Sequence, residues 1–174
     1  MNNFAIIKPI TRYKKVAYYS VCINECENSL FEEFINYHTT HNKAKLNHVL
    51  DWIKIIGDKY GAQTDFFRSE AETADASALP PKGKGRLPHY TEYGKATANN
   101  LRLYCLKANP HVVFLFNGNI KTTHYPQDCP NVKEHFKLAN LLTKAIDNAF
   151  INKDLVWIED FTAIDCEEDF KLEY

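Results

Sequence analysis

Arg102, Tyr104, Lys121 and His124 are side chains of the right types for phosphate and proton-transfer chemistry in this 174-residue chain. Arg102 and Tyr104 are two residues apart in the alternating stretch Leu101–Leu106, so on a strand they face the same side. Lys121 and His124 follow the apolar run Val112–Phe116. Upstream, Lys82, Lys84 and Arg86 lie in PPKGKGR, with His89, Tyr90 and Tyr93 interleaved after them. Cations neutralise phosphates, and aromatic rings stack on unpaired bases. Cleaving RNA needs little more. One group takes a proton from a ribose 2′-hydroxyl, and cations stabilise the charged phosphorane. The plain surface reading stands beside this one: Arg102 paired with an acid, Lys121 exposed at a strand end, the loop cations serving solubility.

Other chemistries lack their signatures. Cys22-x3-Cys26 has no second pair at zinc-ligand spacing. His38, His41 and His48 have no completing ligand, nor do His124, Cys129 and His135, so no metal site is predicted. No G-x-S-x-G is present, Gly83-x-Gly85 lacks a third glycine, and Gly118-Asn119 does not open a Walker sequence. No cofactor is called for.

The elements that must hold these residues follow from periodicity. Leu101–Leu106 and Val112–Phe116 read as strands flanking an Asn109-Pro110 turn, the second apolar throughout, as for a strand buried on both faces. Val16–Ile23 is an earlier strand, rich in β-branched and aromatic residues. Ser29 and Glu32 form a capping box for a helix that places Leu30, Phe31, Phe34, Ile35 and His38 on one face. Thr39-Thr40 is expected to end it. A second helix aligns Leu46, Val49, Leu50, Ile53, Ile56 and Tyr60 and stops at Gly61. Asn131 with Glu134 predicts the N-cap of a third helix, lined by Val132, Phe136, Ala139, Leu142, Ile146 and Ala149. Leu155–Ile158 is a short strand or packing segment anchored by Trp157. Residues 62–100 are irregular, and Pro80-Pro81 with Gly83 and Gly85 exclude a regular element there.

The apolar fraction of 45% and charged fraction of 25% fit a single globular domain. Scattered cysteines, no apolar run of membrane-spanning length and an N-terminus unlike a signal peptide predict a cytoplasmic protein with no membrane partner. The net charge of −1 hides an asymmetry: residues 82–107 carry +5 and residues 154–174 carry −7. An anionic partner is expected for the basic part. The acidic end is expected either to mimic RNA or to shield the basic groove, so that deleting Asp165–Tyr174 would strengthen RNA binding at low salt, and a disordered or solubilising end is the plain reading beside it. Together these features predict an α+β fold over residues 1–174. A small antiparallel sheet is packed by an N-terminal helical hairpin and a C-terminal helix. A long basic loop covers about 79–99 and an acidic tail about 154–174.

Arg102-Leu103-Tyr104, then Val112–Leu115, then Ile120-Lys121-Thr122-Thr123 resembles the RelE/ParE superfamily of toxins, especially its HigB-like branch. There, two helices precede an antiparallel sheet, an arginine opens a central strand, and a basic stretch such as K-K-T follows the next strand. Ile120 stands at the usual second lysine. The resemblance implies a RelE-like fold and a toxin of a type II toxin–antitoxin system. Its activity would be metal-independent, ribosome-dependent cleavage of mRNA, held in check by a cognate antitoxin. Arg102 and Lys121 would contact phosphate and stabilise the transition state, Lys82, Lys84 and Arg86 would bind RNA beside Tyr90 and Tyr93, and His124, Tyr104 and Tyr93 are candidates for proton transfer. The neutral charge and the missing lysine favour the alternative, a non-catalytic binding or regulatory module on the same fold, phage- or defence-related.

Overall fold

The computed structural model describes residues 2–71, 75–83 and 86–174. Ten strands and three α-helices are assigned among them: β1 (Phe4–Arg12), β2 (Ala17–Ile23), α1 (Leu30–His41), α2 (Lys43–Ile55), β3 (Ser77–Leu79), β4 (Thr91–Glu92), β5 (Lys95–Ala96), β6 (Leu103–Asn109), β7 (Val112–Leu115), α3 (Lys133–Ile151), β8 (Leu155–Ile158), β9 (Ala163–Cys166) and β10 (Leu172–Glu173). Six strands form one sheet in the order β10-β1-β2-β7-β6-β3, and β4–β5 and β8–β9 are separate hairpins.

The fold is mixed α and β with a mostly antiparallel sheet, as the patterning predicts. Two details differ. The sheet, not the helical hairpin, comes first in the chain, because β1 and β2 precede α1. β1 escapes pattern reading because it is largely an edge. β10 covers only Phe4 and Ala5, and beyond them exposed positions and a bulge near Pro9 break the alternation. The pairing of β2 with β7 is parallel, which the long crossover between them permits.

Alternation then decides the core. Tyr18, Leu103, Cys105, Val113 and Leu115 face α1 and α2, where Phe34, Leu46, Val49, Trp52 and Ile53 meet them. Tyr19, Tyr104, Leu106, Phe114 and Phe116 face α3, against Phe136, Ala139, Leu142 and Ile146. Helices therefore cover both faces of the central strands, which is why Val112–Leu115 carries no polar residue. The predicted Leu101/Leu103/Cys105 and Tyr104/Leu106 faces are those observed.

The helix ends are partly as expected. Ser29 caps α1 by accepting the Glu32 amide, and Glu32 accepts the Ser29 amide at 2.7 Å. The break falls at Asn42 rather than Thr39-Thr40, since the Thr39 hydroxyl donates back to the Ile35 carbonyl within the helix. α2 continues into a wider turn over 56–60 and stops at Gly61, whose φ of 77° suits glycine. Asn131 does not cap α3. Val132 takes that position without a side-chain cap, and the Cys129 carbonyl accepts from the Val132 and Lys133 amides.

Residues 155–173 are folded. Trp157 stacks on Phe150 of α3 with centroids 4.4 Å apart, and Leu172 of β10 is buried in the α3-side core.

Candidate functional site

Residues 117–121 continue from β7 and run alongside residues 100–104. The Tyr104 amide donates to Asn117, the Arg102 amide to Asn119 and the Lys121 amide to Asn100, at 3.1, 3.0 and 2.8 Å. Gly118 permits the approach, because a Cβ there would overlap the Arg102 carbonyl. This packing carries Lys121 to Arg102. On the sheet's other side, Arg68 bridges Ala78 of β3 through two backbone hydrogen bonds of 2.9 and 3.0 Å, and the chain turns there to present Glu70.

The three meet. The Arg102 Nε donates to Glu70 Oε1 at 2.7 Å, and the Lys121 Nζ donates to Glu70 Oε2. The Glu70 side chain is only 3% exposed, and those of Arg102 and Lys121 are 11% and 10% exposed. Arg102 also donates from Nη1 to the Asn99 and Leu101 carbonyls, which fixes the guanidinium plane. Arg68 donates to the carbonyls of Pro80 and Pro81 and so ties down the start of the basic loop. Burial, and then the neighbouring Arg102, push the Arg68 guanidinium down to about 10. Arg68 thus sits desolvated beside a like charge, with Glu70 acting the other way.

A cleft of about 570 Å³ opens over this cluster. Among the described residues, Arg68, Lys82, Arg102 and Lys121 line it with Glu70 as the one acid, and His124 and Tyr125 line it as well. A concave surface on which cations outnumber acids among the described residues favours an anion. Cys129 holds the Lys121 segment to the start of α3. Its Sγ lies 3.4 Å from the Thr122 amide and 3.5 Å from the Thr122 hydroxyl. Burial opposes ionisation of this thiol. Hydrogen bonds from Thr122 and from the Asn131 and Val132 amides outweigh it and bring the thiol down to about 7.

Of the residues singled out from sequence, Arg102, Lys121, Lys82 and His124 share the cleft. Tyr104 is fully buried beneath it, its hydroxyl without a partner among the described residues, so it cannot touch a ligand in the cleft. Arg86 is turned away to Asp65 and over the Phe66 ring. Tyr90 is buried against His48 and donates to Glu92. Tyr93 is fully exposed at the tip of the β4–β5 hairpin. Lys84 lies outside the described residues. Pattern reading missed Glu70 and Arg68, which sit in a polar, alanine-rich stretch with no periodicity. Their only signal was the spacing of two, which puts both on one side of an extended segment.

Comparisons of the chain with protein-family models, with curated proteins and with solved structures find no match. Among the described residues no helix is long and apolar enough to cross a membrane.

Proposed function

We propose that the cleft binds the sugar–phosphate backbone of RNA and cleaves it with the protein's own side chains. The observation that carries this reading is the convergence of Arg102 and Lys121 on the two oxygens of one carboxylate. A phosphodiester presents two nonbridging oxygens in the same way, and Arg68 and Lys82 supply the positive excess to hold it beside Glu70. Arg102 and Lys121 then stabilise the phosphorane electrostatically. His124 takes the 2′-hydroxyl proton as the 2′-oxygen bonds to phosphorus, and returns it to the 5′-oxygen as that bond breaks. The products are a 2′,3′-cyclic phosphate and a 5′-hydroxyl. Glu70 is a positioning residue, since both its oxygens are already engaged by the cations it spaces.

The order β2, α1, α2, β6, β7, α3 and the positions of Arg102 and Lys121 support a RelE/HigB-like toxin, with mRNA on the ribosome as substrate and a cognate antitoxin as partner. Induced expression in bacteria, read by growth and by primer extension on abundant mRNAs, tests this. Growth arrest with new mRNA 5′ ends, both abolished by Lys121→Ala, is expected. An intact chain that neither slows growth nor cuts mRNA contradicts it.

One observation favours a second reading, a non-catalytic RNA-binding module. Glu70 already neutralises much of the charge on Arg102 and Lys121, which suits retention of a ligand over turnover. RNA bound but left intact by the purified protein would select it.

A further inference from the structure

A second cavity, of about 550 Å³, is lined by residues 117–119, which lead along the chain to Lys121 of the cationic cleft, and it has a different chemistry. It sits past the carboxyl ends of the parallel strands β2 and β7. From β2 the chain leaves to α1 on one face of the sheet, and from β7 it continues to α3 on the other. A crevice at such a switch point is where open sheets with parallel strands bind ligands. Glu33, Asn36 and Tyr37 of α1 line one side, Asn117 and Asn119 the other, and His135 of α3 closes it. Among the described residues no lysine or arginine lines it, so none of them offers a phosphate a counter-charge there.

The amide orientations are fixed. The Asn117 side-chain Oδ1 accepts the Gly118 amide and the Asn119 side-chain Oδ1 accepts the Ile120 amide, both at 2.8 Å. A backbone N–H can only donate, so both side-chain NH2 groups are left as donors. Glu33 brings two acceptor oxygens from the opposite wall, and Asn36 has no partner among the described residues. Tyr37 offers a half-exposed ring, stacked on His41 with centroids 4.2 Å apart. The His135 imidazole is pushed down by burial and by nearby His38, which favours its neutral form.

We propose that this cavity reads an unstacked guanine whose phosphate lies in the neighbouring cleft. The proposal rests on the RNA-backbone reading and adds a base to it. Guanine offers N1–H and N2–H donors to the Glu33 carboxylate and the O6 and N7 acceptors to the Asn117 and Asn119 NH2 groups. Adenine offers no donor at N1, and uracil lacks the second donor beside N3. Asn119 and Lys121 are two residues apart on an extended segment, so their Cα atoms lie about 7 Å from one another, within the reach of one nucleotide.

The test is equilibrium binding of fluorescein-labelled RNA heptamers to the intact protein at low salt. The oligomers are all-uridine, or uridine with a central guanosine, inosine or adenosine. The guanosine oligomer should bind about tenfold tighter than the all-uridine one, with inosine, which lacks the N2 amine, in between. Glu33→Gln and, separately, Asn36→Ala should bring the guanosine-to-uridine ratio towards one, both being exposed substitutions on α1. Lys82→Ala should weaken both oligomers together and leave the ratio near tenfold. Equal affinity for all four oligomers overturns the guanine site while leaving the backbone reading intact. If no oligomer binds, the backbone reading fails. Titration with free guanosine then decides the cavity alone: shifts of the Asn117 and Asn119 side-chain amide resonances support it, and their absence overturns it.

Discussion

Glu70 holds two cations in a nearly dry setting, and its removal should be felt in stability before function is measured. A buried ion pair deprived of one partner leaves an uncompensated charge. Glu70→Gln is therefore expected to lower unfolding free energy by about 3 kcal/mol, read by urea denaturation. Tyr104 gives the opposite case. Its hydroxyl is buried and has no partner among the described residues, and burial, then Glu70, push the phenol far above its usual range. Tyr104→Phe removes an unsatisfied polar atom, so stability should stay within about 1 kcal/mol of the parent and RNA binding should persist. Loss of RNA binding in a folded Tyr104→Phe protein would return Tyr104 to the site. Arg102 and Lys121 were legible from their place beside apolar strands. Glu70 was not, because a lone acid in an aperiodic stretch carries no local mark of its partners.

Among the elements, the capping box of α1 has a pH signature. The Lys8 ammonium, and then Ser29, hold the Glu32 carboxyl down at about 2, against an ordinary value of 4.5. A lowered acid stabilises the fold above its unfolded value and loses that contribution as pH falls through its folded one. Stability should thus decline between about pH 4.5 and pH 2, and Glu32→Gln should flatten that part of the curve in thermal scans. The segment after β7 is more demanding. Gly118→Ala drives a methyl into the Arg102 carbonyl, so the strand carrying Asn119 and Lys121 must shift. A stability loss of about 1–3 kcal/mol, with weakened RNA binding, is expected. Elements with strong periodicity were legible: β2, β6, β7 and the buried faces of α1, α2 and α3. β1 and β3 were not. β1 is mostly edge, and β3 is three residues long and held by pairing with β6 rather than by its own propensity.

Across the whole molecule, the two charged regions do not meet as the sequence suggests. β10 lies at one edge of the sheet, and the cleft lies at the other, by β6 and β3. Glu159 pairs with Arg12 and Glu25 with Lys171, and Leu172 completes the α3-side core. The acidic end is therefore part of the fold and not a cover for the groove. Deleting Asp165–Tyr174 should lower the melting temperature instead of strengthening RNA binding. The basic middle is likewise dispersed. Arg86 and Lys107 serve residues 64–66, while Lys82 and Arg102 turn to the cleft, where Lys121 from beyond this region joins them. Charge sums along the chain record neither outcome, because the register of the sheet decides which cations converge. The proposed hold of this convergence on an RNA backbone is read in the salt dependence of single-stranded RNA binding. Three or four neutralised phosphates predict a slope of log K against log salt of about −2 to −3, shallower by about 0.7 in folded Lys121→Ala. RNA that fails to bind even at about 50 mM salt, or a slope that Lys121→Ala leaves unchanged, would contradict it.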